Sequence, residues 1–143
     1  MSLISNSSTW AADEHKMFAD TTRKLFDAEM APNVEKWADQ GIVDRDFWRT
    51  VGEQGVMGGS IAEEYGGFGG GIGFDAITVY EQGRTGDTGW GYGIQSIVIH
   101  YLNAYGSEEQ KKKWLPKLVS GDSVAAIAMT EPGTGSDLQN VQT

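Results

Sequence analysis

Apolar residues recur at three- and four-residue steps along most of this chain, and glycine interrupts the pattern wherever a segment ends. That spacing predicts amphipathic helices packed on one another over most of residues 9–121. From Thr9 to about Gln40, Phe18, Leu25, Phe26, Met30, Val34 and Trp37 make one stripe. Thr9 is the expected cap, with Asp13 and Glu14 near the positive end of the helix dipole. Pro32 predicts a kink or break, and Gly41 closes the run. Asp44 is expected to cap a short helix carrying Phe47, Trp48 and Val51, ending near Gly55. The stretch GVMGGSIAEEYGGFGGGIG is too rich in glycine for a helix or strand interior and suits close turns.

A further helix is predicted from about Phe74 to Gly83. Another starts near Gly91 or Gly93, carries Ile94, Ile97, Val98, Tyr101 and Leu102, and ends at Gly106. Its apolar residues cover most of its circumference, which predicts a central position. Ser107 and Gln110 form a capping box for the next helix, which holds Trp114, Leu115 and Leu118 and stops at Gly121. Its Lys111, Lys112 and Lys113 read as a solvated face.

After Gly121 the pattern changes. SVAAIAMT is a short apolar run bounded by turn signals, and it reads as a buried strand. A strand needs a neighbour for its backbone groups, and no second strand is legible here. The expected fold is therefore mainly α, a bundle of about five helices, followed by the truncated start of a β domain. The expected division is a disordered lead or cloning remnant over 1–8, a helical domain over 9–121, and the β beginning over 122–143.

Composition removes several classes of function. Eleven basic against twenty acidic residues give a net charge of −9, which opposes nucleic acid or an anionic membrane as main partner. With no cysteine and only His15 and His100, thiolate and multi-histidine metal sites are excluded. No apolar run is long enough to span a membrane. The N-terminus lacks secretory features and its first arginine is Arg23, so a cytoplasmic location is expected.

The chemistry concentrates in TEPGTGSD, residues 130–137. Pro132 restricts its own φ and biases Glu131 toward extended geometry. Gly133 and Gly135 permit positive φ, so that backbone N–H groups can form an anion-binding nest. Thr130, Thr134 and Ser136 add hydroxyls that donate and accept. These are also ordinary turn residues, and the motif is neither a GxxxxGK phosphate loop nor a GxGxxG fingerprint. Composition leaves a ligand loop and a plain surface turn both open.

The combination of AIAMTEPGTGSD with YGSEEQKKKWLPKLVSGD and AEEYGGFGGG before it resembles the acyl-CoA dehydrogenase family. The resemblance runs from about Thr9 to Thr143 and is nearest to the long-chain branch and its bacterial relatives. The family often has proline where Ala62 stands. The resemblance implies an N-terminal helical domain, a middle β domain and a C-terminal helical domain, with FAD between them. It implies that Ile127 and Met129 line the flavin, that Thr130 contacts the isoalloxazine ring, and that Gly135 and Ser136 approach the pyrophosphate. Ser136 would also lie beside the CoA portion of an acyl-CoA substrate. Ile94, Gln95, Ser96 and Ile99 become candidates for the acyl-chain cavity.

The implied reaction is α,β-desaturation of an acyl-CoA thioester, with electrons passing to an electron-transferring flavoprotein, in a parent enzyme that is a homotetramer or homodimer. The family's catalytic glutamate belongs to the C-terminal domain, so no catalytic residue is assigned here, and the 143-residue chain alone is expected to be inactive. Glu131 is expected to hold the loop, and His100 to be structural, with no carboxylate or nucleophile at a suitable spacing in sequence. A flavin-dependent acyl-CoA oxidase or a related superfamily member is one alternative. A non-catalytic helical binding module is another, if the gene ends at Thr143.

Overall fold

The computed structural model describes residues 3–4 and 8–143, so the expected lead over 1–8 lies mostly outside the described residues. Among those residues there are six α-helices: α1 (Asp13–Glu29), α2 (Val34–Gln40), α3 (Arg45–Glu53), α4 (Gly73–Thr85), α5 (Tyr92–Tyr105) and α6 (Glu108–Val119). Short 3-10 turns occur at Ala31–Asn33, Glu63–Tyr65 and Leu138–Asn140. Pro32 splits the first expected helix into α1 and α2, which accounts for six segments where about five helices were expected.

Helix starts differ from expectation in detail. Ala12, not Thr9, is the N-cap of α1, and its N–H donates to His15 Nδ1 at 3.2 Å. Asp44 does precede α3, but its carboxylate accepts from Lys36 and Gln40 rather than from the helix. The Lys36 ammonium, then Gln40, holds the Asp44 carboxyl down at about 2. The capping box at Ser107 and Gln110 forms as expected, with bonds of 3.2 and 2.8 Å.

Two apolar clusters fill the interior. One joins α1, α2 and α3 through Phe26, Met30, Trp37, Phe47, Trp48 and Val51, with Trp90 and Tyr92 closing it. The other joins α5 to α6 through Ile61, Tyr65, Ile99, Leu115, Leu118 and Val119. Between α1 and α4, the Glu81 side chain is only 1% exposed. Arg23 reaches it at 2.7 Å and Arg84 at 2.8 Å. Burial raises the Glu81 pKa, but the two guanidinium groups outweigh that and leave it lowered.

Two expectations fail for one reason. The helix expected to be central, α5, buries only Tyr92, Gln95 and Ile99, while Ile94, Ile97, Tyr101 and Tyr105 are exposed. The expected buried strand over 123–130 is not a strand and is not buried. Its burial still alternates, with Ser123, Ala125 and Ile127 half-buried and Val124, Ala126 and Ala128 exposed. An apolar pattern states which surface avoids water, but burial needs an element to cover it, and a strand needs a partner's backbone. The elements beside this segment are helices whose backbone groups are already paired.

Candidate functional site

The site is built where the chain leaves α6. Gly121 turns it with φ +76°, and segment 123–130 then runs along α5. A buried carboxamide holds the two together. Gln95 donates through Nε2 to the carbonyls of Leu118 at 2.8 Å and Ser123 at 3.0 Å. Its Oε1 accepts the Ala125 N–H at 2.7 Å.

Between α5 and the segment lies an open groove of about 990 Å³. One wall is Ile94, Ile97, Val98, Tyr101 and Leu102, and the other is Ala126, Ile127, Ala128 and Met129. Met129 is 55% exposed and Tyr105 82%, so the groove is open to solvent. Its lining includes no carboxylate and no histidine. Such a surface can hold a flat or extended apolar group, but it supplies no acid or base.

The groove's Met129 end runs into the loop. Glu131 and Thr134 exchange two backbone hydrogen bonds of 3.0 Å around Pro132 and Gly133. The Glu131 carboxylate accepts the N–H groups of Gln142 at 3.0 Å and Thr143 at 3.1 Å, and the Thr143 hydroxyl. The Thr143 hydroxyl, then the Gln142 N–H, pull the Glu131 pKa down. Glu131 is thus spent on loop structure, as expected. Thr134 is buried and donates to the Asn140 carbonyl at 3.2 Å, so it too serves the loop. Thr130 and Ser136 are exposed.

The expected anion nest does not form in its left-handed version. The glycines with positive φ are Gly41, Gly55, Gly66, Gly69, Gly86 and Gly121, and neither Gly133 nor Gly135 is among them. The Glu131–Thr134 pairing shapes this turn without demanding that conformation.

The candidate residues separate into two groups. Ile94, Ile127 and Met129 share the groove, and Thr130, Gly135 and Ser136 stand exposed in the loop it leads to. Gln95 and Ile99 are interior, at 0% and 2% exposure, and do not line the groove. Ser96 is half-buried, and its hydroxyl interacts with the Tyr92 phenol.

Sequence spacing also missed a polar cluster around His100. Tyr92 donates to Asp75 Oδ1 at 2.7 Å, and Asp75 Oδ2 lies 3.5 Å from His100 Nε2. Burial, then the Asp75 charge, push the Tyr92 pKa up. Ser60 Oγ is 3.4 Å from the same His100 nitrogen. A carboxylate and a hydroxyl do therefore reach His100, contrary to the expectation that it has neither. Because both meet one nitrogen, they cannot form a hydroxyl–imidazole–carboxylate relay, which uses both. The partners come from 25 and 40 residues away, a separation that sequence periodicity does not report.

The family model for the acyl-CoA dehydrogenase N-terminal domain matches residues 12–122. The chain belongs to the acyl-CoA dehydrogenase family. The long-chain specific acyl-CoA dehydrogenase of Sus scrofa mitochondria is 44% identical over 133 residues, covering 92% of this chain and 31% of that protein. The crystal structure of an acyl-CoA dehydrogenase from Geobacillus kaustophilus matches with TM-score 0.87 and 40% identity, over 93% of this chain and 35% of that one. A glutaryl-CoA dehydrogenase from Mycobacterium smegmatis, solved in complex with FADH2, matches with TM-score 0.84 and 28% identity, over 96% of this chain and 36% of that one. The chain thus spans about a third of the length of these relatives.

Proposed function

We propose that this chain forms the N-terminal part of an FAD-dependent acyl-CoA dehydrogenase that desaturates an acyl-CoA thioester between Cα and Cβ. The observation that carries this reading is the meeting of Ile94 with Ile127 and Met129 along one apolar groove that leads to the Thr130–Ser136 loop. Residues from two elements, about thirty positions apart, supply an apolar wall, and the loop beside it supplies exposed hydroxyls. That donor set fits a flavin, whose ring is flat and largely apolar with a polar edge. A relative of the same fold was solved with FADH2.

When bound, FAD supplies the two-electron acceptor for the reaction. Ile127 and Met129 shield the ring from water, which strengthens any polar contact at its edge. Thr130 would present a hydroxyl or N–H to that edge, where donated hydrogen bonds stabilise developing negative charge. Gly135, which carries no side chain, and the Ser136 hydroxyl take the pyrophosphate and the CoA portion of the substrate. Ile94 contributes to the acyl side of the groove. Proton abstraction from Cα needs a carboxylate, and none lines the groove. The 143-residue chain alone is accordingly expected not to turn over an acyl-CoA. The electron acceptor in this reading is an electron-transferring flavoprotein.

The reading is tested with the protein as its gene encodes it. Flavin absorbance should be present after purification, and an acyl-CoA should bleach it anaerobically, with an electron-transferring flavoprotein restoring it. A colourless protein that retains no flavin absorbance after incubation with FAD and removal of the free cofactor would sink the proposal.

A further inference from the structure

Gln95 has an unusual position for a group once expected to touch substrate. It is 0% exposed, and both ends of its carboxamide are engaged by backbone. The amide orientation is unambiguous: the NH2 group meets two carbonyls, of Leu118 and Ser123, and the oxygen meets the Ala125 N–H. These bonds tie three pieces of chain that no backbone ladder connects: the first turn of α5, the end of α6 and the first residues of segment 123–130. Ala125 is two residues before Ile127 and four before Met129. In a segment whose burial alternates with period two, fixing Ala125 on the inner side decides which side Ile127 faces.

We infer that Gln95 is a positioning residue: its carboxamide fixes Ser123 and Ala125 against α5 and α6 and so sets the side from which Ile127, Met129 and Thr130 are presented to the cofactor. The inference rests on the flavin reading for its consequence, but not for its geometry. An apolar residue at position 95 would leave the Ala125 N–H and the Leu118 and Ser123 carbonyls without this partner and loosen the segment's hold on α5. The general role of α5 is then twofold: its exposed side lines the groove, and its buried side holds the opposite wall in place.

The test uses Gln95→Met, which keeps the length of the side chain and removes its hydrogen bonds, in the protein as its gene encodes it. Amide hydrogen exchange at Ala125 is expected to speed up at least about tenfold beyond any change in global stability. FAD affinity is expected to fall by about tenfold or more, with a shifted flavin absorption band. Val51→Ala, in the other apolar cluster, serves as the control: it lowers stability without these two local changes. If Gln95→Met does not fold, Ala125→Pro removes the same N–H from the segment's side and should reproduce the flavin change. Unaltered Ala125 protection in Gln95→Met, or an equal loss of FAD affinity in Val51→Ala, overturns the inference. Fast Ala125 exchange in the variant of a protein that binds no FAD even as wild type overturns the cofactor role and the flavin reading together, while leaving the register contact demonstrated.

Discussion

On the α1–α4 side of the molecule a carboxylate is almost wholly buried, and on the α5 side a row of isoleucines and tyrosines stays in solvent. Glu81 is 1% exposed, against 44% for Ile97 and 65% for Tyr101. Residue polarity alone would predict the reverse. What separates the two sides is the supply of complementary groups. Glu81 has Arg23 and Arg84 within hydrogen-bond distance, and their stems complete the packing of α1 on α4. The α5 face has only segment 123–130 beside it, and that segment covers part of its length. The closed side is stabilised by contacts already present, whereas the open side is shaped for something added.

The largest expected effect is at the turn from α6 into segment 123–130, where the open side's second wall begins. Gly121 sits at φ +76°, and a Cβ there would stand 2.1 Å from the Trp48 carbonyl oxygen. Both are backbone constraints, so neither can relax by a side-chain rotation. Gly121→Ala is expected to cost more than about 4 kcal/mol in urea unfolding, the range reserved for such named faults. A loss below about 1 kcal/mol would mean that α3 and the end of α6 are not in this contact.

Glu81→Ala comes next. It leaves two guanidinium groups facing an empty site, and removal of one partner from a buried ion pair costs about 3–5 kcal/mol. Because Arg23 and Arg84 keep about 30% of their surface in solvent, the lower end of that range is expected. Denaturant unfolding measures it, and a near-zero effect would remove the distinction between the two sides.

A smaller effect is expected from pH. The folded-state pKa of Glu81 lies below its ordinary value of 4.5, so its contribution is fully present above that pH. It is lost as pH falls from about 4.5 through the folded-state value, because protons then bind the unfolded chain first. Stability measured across that window should fall less steeply in Glu81→Gln than in the wild type. Equal slopes would assign the acid sensitivity to other carboxylates.

The smallest stability change belongs to the open face. Ile97→Ser should alter unfolding free energy by no more than about 0.5 kcal/mol, as surface changes do. Its effect should appear instead in affinity for an acyl-CoA analogue, read by calorimetry. A stability loss comparable with that of a core residue would show that the groove is closed in solution.

Much of the helical part was legible in the sequence because its signals are local. The Ser107–Gln110 box, the break at Pro32 and the stops at Gly41 and Gly121 each depend on residues within one turn of one another. The loop motif was equally legible as a string, and it pointed to the family that the matching relatives establish. Gln95 and His100 were not legible in this way. Their partners lie at separations of 23 to 40 residues, and nothing in their immediate neighbours reports those contacts.

Periodicity and punctuation by themselves determined where helices run, which residues avoid water, and which short loop carries the family's signature. Only the tertiary structure decided which apolar faces are covered, that Glu131 is consumed by the chain around it, and that a buried glutamine ties segment 123–130 to α5 and α6. Local signals act through dihedral preferences and hydrogen bonds between near neighbours, which sequence order preserves. Coverage and long-range pairing depend on which elements meet in space, and that is settled only when the helices pack.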